Sequence, residues 1–291
     1  MRYEGMVYRP PSEAGSLIIQ ATVGCPHNRC TFCSMYRQSR FRLRSVDEIK
    51  EDLAMARDYY GDSVRTVFLA DGNTIVMKTD HLVEILRCIR QLFPAVERIT
   101  SYGSARFITK KKPADWVALQ QAGLSRIHSG MESGDDEVLR LQNKGVDAQG
   151  IVRAGQMIKD AGIELSEYII VGAGGKTLSE QHAQNSARVL NRINPDFIRL
   201  RTLMPAQGTP LYDMFKKGEF KLLSPHEALA ETRLFIEHLE GISSTLYSDH
   251  ISNYWNVSGK FPGNKEAMLK QIDHALSLDE KQFRDPLQVR L

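Results

Sequence analysis

The chain has 291 residues, with 38 basic against 35 acidic and a formal charge of +3. Its 42% apolar and 25% charged content is that of an ordinary globular protein. No stretch nears the ~18 apolar residues of a spanning helix, the small charge gives no case for nucleic acid by itself, and four cysteines at this length do not make a disulfide scaffold.

The elements alternate. Residues Ser16 to Val23 predict a strand, and Val46 to Tyr60 a helix with Ile49, Leu53 and Ala56 on one face behind Ser45 as N-cap. Thr66 to Ala70 predicts a buried strand ending at the turn Asp71-Gly72-Asn73. A helix over Thr79 to Leu92, a strand over Arg98 to Ser104 and a helix over Pro113 to Ala122 follow. Ser125 to Ser129 reads as the next strand, then a helix over Ala148 to Ala161 and a strand over Glu164 to Val171. A helix over Leu178 to Asn191, a strand over Phe197 to Leu203, a helix over Pro225 to Glu240 and a short strand at Ser243 to Tyr247 complete the series, with a last helix from about Asn264 to Leu276.

Six β–α repeats imply a parallel sheet. The expected fold is α/β, a partial (β/α)6 TIM-like barrel closed by a C-terminal segment, with a doubly wound sheet as the alternative. The expected division is an N-terminal extension at 1–15, a core barrel at 16–210 and a helical closing segment at 211–291. Chemistry then belongs at the C-terminal ends of the strands.

One loop at such an end carries Cys25, Cys30 and Cys33, spaced C-x4-C-x2-C. Three soft thiolates on a short loop suit zinc or an iron–sulfur cluster. Zinc would want a fourth ligand, for which His27 is at hand. A cluster with one open iron is the stronger reading, and buried cysteines acting as small hydrophobes the weaker. Cys88 sits mid-helix among apolar positions and reads as a core residue.

The loop resembles that of the radical S-adenosylmethionine (radical SAM) superfamily, whose usual spacing is C-x3-C-x2-C, here lengthened by one residue. Phe32 matches the superfamily's aromatic before the last cysteine. The run Ile127-His-Ser-Gly-Met-Glu-Ser-Gly-Asp-Asp-Glu-Val-Leu139, then Asn143-Lys144-Gly145, is similar to the branch holding oxygen-independent coproporphyrinogen oxidases, tRNA methylthiotransferases and the elongator catalytic subunit. The likeness covers roughly residues 16–210.

That resemblance implies an oxygen-sensitive enzyme with a [4Fe–4S] cluster on the three cysteines and S-adenosylmethionine on its open iron. One-electron cleavage of the sulfonium would yield a 5′-deoxyadenosyl radical that takes hydrogen from substrate. It implies Asp71, Gly72 and Asn73 near the methionine amine, Ser104 near its carboxylate and Glu132 near its amine. Lys144 and Arg153 are further carboxylate partners, Gly172 a point of close approach for the adenine, and Tyr36 a residue packing over the cofactor.

On the substrate side, Arg199 and Arg201 share one face of a strand by their spacing, which suggests an anionic ligand. Asp249, His250 and Asn253 lie in the closing segment and are candidates to touch substrate. Arg37, Arg40, Arg42 and Arg44 form a basic run, read as a solvated face or as a surface for nucleic acid, a reductase or an anionic substrate. The expected substrate is a small molecule or peptide, the expected electron donor of flavodoxin or ferredoxin type. A tRNA-modifying enzyme and a non-catalytic zinc-binding module are the alternatives. With three clustered cysteines, a second cysteine-held cluster, and so methylthiolation, is disfavoured. The start Met-Arg-Tyr-Glu-Gly lacks an apolar signal core, and a cytoplasmic protein without membrane contact is expected.

Overall fold

The computed structural model describes residues 1–284, so the last seven positions of the expected closing segment lie outside the described residues. In chain order the strands and helices are β1 (Leu17–Gln20), β2 (Thr22–Val23), β3 (Arg42–Leu43), α1 (Val46–Tyr60), β4 (Thr66–Ala70), α2 (Thr79–Leu92), β5 (Arg98–Tyr102), α3 (Ala105–Ile108), α4 (Pro113–Gln121) and β6 (Leu124–Glu132). They continue with α5 (Asp136–Leu141), α6 (Ala148–Asp160), β7 (Glu164–Val171), α7 (Gly175–Ile193), β8 (Phe197–Thr202), α8 (Pro210–Lys216), α9 (Pro225–Glu237), β9 (Thr245–Tyr247), β10 (Ser258–Lys260) and α10 (Lys265–Leu276). Two compact units divide them: residues 1–28, 35–129 and 156–165 form the first, and residues 29–34, 130–155 and 166–291 the second.

In the first unit β1, β4, β5 and β6 pair in that order, all parallel. Parallel strands need crossover connections, and α1, α2 and α4 supply them. The helix α1 starts where its sequence says: Ser45 caps it, and Glu48 returns a hydrogen bond to the Ser45 amide in a capping box. Val67, Leu69, Ile99 and Ile127 fill the core behind the sheet. The expected strand at 16–23 breaks at Ala21, and β2 turns to pair antiparallel with β3. That break is where the cysteine loop leaves the sheet.

The other face of this sheet carries a buried ion pair. Glu13 is inaccessible and accepts from His128 at 2.9 Å and from the Ser16 hydroxyl at 2.6 Å, with Arg98 at 3.3 Å. Burial pushes the Glu13 carboxyl up, but His128, Ser16 and Arg98 together outweigh it and hold its pKa at about 2. Sequence reasoning passed over this pair because its members are 115 positions apart.

The basic run resolves into structure. Arg44 is buried against Asp52 at 2.5 Å, and Arg42 pairs with Glu4 and Glu48. Arg44 is therefore not part of a solvated face, which corrects that reading at this position, while Arg42 stays at the surface in exposed ion pairs. Cys88 is also corrected: it is only partly buried, at the edge of the α2 core face and beside Lys50 and Glu84.

In the second unit β7, β8 and β9 are parallel, and β10 closes on β9 antiparallel. The strand expected near residues 243–247 is β9, while β10 carried no sequence signal because its Ser-Gly-Lys has no apolar alternation. Helices α7, α9 and α10 pack together behind these strands. The helix α7 begins at Gly175, three positions before the expected start, and residues 172–174 form the turn between it and β7. No helix of the described residues is long and apolar enough to cross a membrane.

Candidate functional site

Strands β1 and β4 end level, with Gln20 opposite Ala70. Residues 21–25 and 71–73 therefore leave the sheet side by side. Asp71 turns inward and is buried; its carboxylate accepts from the Gln20 amide at 2.8 Å and from the Gly24 N–H at 3.1 Å. Burial pushes its pKa up to about 6 against these donors and the Tyr36 hydroxyl. Asp71 thus braces the entrance of the cysteine loop from behind, and does not present its carboxylate outward.

Gly72 is required by contact. A Cβ there would come within 2.9 Å of the Tyr36 ring and 3.1 Å of Cys25 Cβ. The loop lies directly on the glycine, and any side chain would lift Cys25. Tyr36 is itself buried, edge-on to Tyr8 at 5.4 Å between ring centres. Its place is beneath the turn. Asn73 and Ser104 are brought together: the Asn73 amide donates to Ser104 Oγ at 2.9 Å, and the Ser104 N–H donates to Asn73 Oδ1 at 3.3 Å. This leaves the Ser104 hydroxyl proton for an outside acceptor. His27 accepts from the Arg106 guanidinium at 3.1 Å through Nδ1.

In the second unit, residues 29–34 are clamped by Thr31. Its N–H donates to the Gln142 carbonyl at 2.9 Å, its hydroxyl to the Leu141 carbonyl at 3.0 Å, and its own carbonyl accepts from Leu211 N at 3.0 Å. These carbonyls are the orphan acceptors at the end of α5. Thr31, between Cys30 and Phe32, is a positioning residue that sequence reasoning missed, because no local pattern marks a partner 110 positions away. Phe32 packs on the cluster of Val138, Leu211 and Phe220.

The same unit places Lys144 against this loop. Asn143 (φ 50°) and Gly145 (φ 72°) flank it in the left-handed region and turn it inward. Its ammonium lies 3.1 Å from Glu132 Oε1 and 6.0 Å from the Phe32 ring centre. Burial pulls the Lys144 pKa down, but Glu132, Cys30 and Cys33 overcome this and hold it above its ordinary value. Glu132 adopts φ 64° at the end of β6. Its carboxylate folds back over Gly130, where a Cβ would stand 2.1 Å from Oε1. Gly130 is thus the space that the carboxylate occupies, a role the sequence did not disclose.

Other expected residues stand apart. Arg153 is exposed on α6. The Gly172 N–H donates to the buried Glu231 carboxylate at 2.6 Å. Cβ atoms at Gly174 and Gly175 would meet Leu178 and residues 220–221 of the same chain, so both are explained by packing. Arg199 and Arg201 face away from the buried Ile198 and Leu200, each over a tyrosine ring. Asn253 is buried, with its carboxamide bonded to the Leu200 and Ser248 carbonyls and the Thr202 hydroxyl, so it secures its segment to β8. Asp249 and His250 remain beside the arginines.

All three loop cysteines are free thiols and partly exposed. Among the described residues, no three His, Cys, Asp or Glu side chains converge on a single ion. A multi-iron cluster spreads its thiolates wider than one ion does, and its soft donor set is the one this loop offers. The loop residues therefore fit a cluster, with Lys144 as a nearby cation to offset its negative charge.

The model of the Radical SAM superfamily matches residues 19–186, more than half of the chain. The chain belongs to the radical SAM superfamily, a superfamily of enzymes, as the cysteine loop and the 127–145 run led us to expect. It is 29% identical over 108 residues to a tRNA uridine(34) acetyltransferase of Methanocaldococcus infernus, covering 37% of this chain and 20% of that one. It is 26% identical to the 3-methylornithine synthase of Methanosarcina barkeri, covering 73% of this chain and 59% of the relative. A tRNA-2-methylthio-N(6)-dimethylallyladenosine synthase of Dehalococcoides mccartyi is 27% identical, over 69% and 48% respectively. This chain thus spans between a fifth and three-fifths of these relatives.

Solved structures agree in fold. Methylornithine synthase superposes with a TM-score of 0.56 at 18% identity, over 88% of this chain and 68% of that one. The coproporphyrinogen III oxidase of Escherichia coli gives 0.55 at 16% identity, over 77% and 52%. The Elp3 protein of Methanocaldococcus infernus gives 0.53 at 16%, over 90% and 63%. The architecture is the partial (β/α) barrel of these proteins.

Proposed function

We propose that this chain cleaves S-adenosylmethionine reductively at a [4Fe–4S] cluster on Cys25, Cys30 and Cys33, and takes hydrogen from a small-molecule or peptide substrate. The observation that carries the reading is the trio of free, partly exposed thiols on a loop braced at Gly24 and clamped at Thr31. When bound, the cluster and S-adenosylmethionine supply the electron transfer and the carbon radical, which is the cofactor's own chemistry.

The chain's residues bind and orient. Glu132, paired with Lys144 at 3.1 Å, accepts from the amine of the methionyl group. Ser104 donates its free hydroxyl proton to the methionyl carboxylate, held in place by Asn73. Asp71, Gly72 and Tyr36 act from behind, fixing where Cys25 stands. An electron donor of flavodoxin or ferredoxin type completes the system.

A second reading, a tRNA substrate, is supported by the relatives named for tRNA and by Arg106 and Lys110 near the Phe107 ring, at 5.9 and 5.1 Å from its centre. Cations around an aromatic face suit a phosphodiester backbone with a stacked base.

Anaerobic reconstitution tests the first reading. The expected result is a brown protein with about four irons per chain that forms 5′-deoxyadenosine with dithionite, and loses both on Cys30→Ala. Stoichiometric zinc and no cleavage would refute it. Salt-sensitive tRNA binding supports the second reading, and its absence removes it.

A further inference from the structure

A second polar constellation lies within the second unit, on the face of β8 opposite its core residues. Arg199 and Arg201 project from it two positions apart. Their guanidinium carbons stand 4.8 Å from the Tyr247 ring centre and 5.2 Å from that of Tyr168. A ring face steadies a cation but accepts none of its N–H groups in the plane. The Nε atoms of both arginines are buried and have no hydrogen-bond partner. Among the described residues the one carboxylate within ion-pair reach of either is Asp249, half-exposed and 4.0 Å from Arg199. Charged groups withdrawn from water are ordinarily paired, and these two largely covered arginines have Asp249 as their one printed ion-pair partner.

We propose that Arg199 and Arg201 form a binding site for the carboxylate group of a small organic-acid substrate. Each guanidinium stands over a tyrosine ring, and a planar fork of donors matches a planar carboxylate. The neighbouring segment is set by Thr202 and Asn253, whose bond at 3.0 Å ties residues 248–253 to the strand. His250 adds no competing charge: burial, and then Arg201, push its pKa down to about 4 against the pull of Asp249. It stands there as a neutral donor or acceptor. The inference rests on the proposed enzyme for the word substrate, but anion binding can be read without catalysis.

The test uses the anaerobically reconstituted full chain, with glutarate as the probe. Glutarate should raise the melting temperature saturably, and should shield Arg199 and Arg201 from phenylglyoxal in peptide mapping of the wild-type protein. Binding should weaken about tenfold in Arg199→Gln and in Arg201→Gln, and persist in Arg192→Gln on the exposed side of α7. Equal response of all variants, unprotected arginines, or phosphate matching glutarate at equal ionic strength would each overturn the proposal. So would S-adenosylmethionine displacing glutarate competitively, since the arginines would then serve the cofactor. If glutarate binds as expected yet no 5′-deoxyadenosine forms, the cofactor reading fails and the anion site stands; the reverse result removes the anion site alone.

Discussion

The Glu132 carboxylate and the Lys144 ammonium meet at 3.1 Å, with their side chains 15% and 10% exposed. The contact depends on three unusual backbone positions, Glu132, Asn143 and Gly145, all at positive φ, and on an absent side chain at Gly130. Such conformational exceptions persist only where the surrounding structure over-determines them.

The pair leads to a prediction about Gly130. An added methyl meets the ends of the Glu132 and Lys144 side chains, which can swing away, so Gly130→Ala should cost ~1 kcal/mol of stability. The displaced carboxylate should weaken S-adenosylmethionine binding by about tenfold, as should Glu132→Gln. Equilibrium binding to the reconstituted protein measures both. Unchanged affinity in both variants would show that Glu132 does not touch the cofactor.

Glu13 makes acid stability predictable. Its folded pKa of about 2 lies below the ordinary 4.5. A depressed carboxylate contributes stability that is fully present above the unfolded value and is lost as pH falls through the folded one. The loss should therefore run from pH 4.5 down to about 2 and amount to ~3 kcal/mol. Urea midpoints between pH 6 and 3 should fall more steeply in wild type than in Glu13→Gln, which is less stable at neutral pH. Parallel curves would contradict this.

The buried pair of Arg44 and Asp52 should respond asymmetrically. Asp52→Asn leaves the Arg44 guanidinium buried without its carboxylate, at a cost of ~3 kcal/mol. Replacing both, as Arg44→Met with Asp52→Leu, should recover most of that loss, because the desolvation of both charges disappears together. Denaturant melts of the three proteins decide the matter, and a double variant weaker than Asp52→Asn would contradict it.

Cysteine substitutions should separate cleanly. Cys88→Ala should leave iron content and deoxyadenosine formation within error of wild type, since this partly buried thiol lies on α2, away from the cysteine loop in sequence and beside Lys50 and Glu84. Cys25→Ala, Cys30→Ala or Cys33→Ala should each abolish both. Loss of iron in Cys88→Ala would show that the helix α2 thiol takes part in the metal site.

The sequence by itself determined what is local or periodic. Helix spacing, the Ser45–Glu48 capping box and the apolar strand runs are set by neighbours within a few positions, and all were legible. The nine-residue cysteine loop was legible too, because three thiols so close along a chain have few other uses. Tertiary structure alone decided which polar groups face inward. The turn at Asp71 was legible, but not that its carboxylate points inward to the Gly24 N–H. Arg42 and Arg44 looked like free surface charge and proved to be paired. Thr31, Gly130 and Glu13 gave no signal, since each acts on a partner whose direction depends on where a distant strand ends. Spacing along the chain names the donors, but only packing in three dimensions says which of them are already spent.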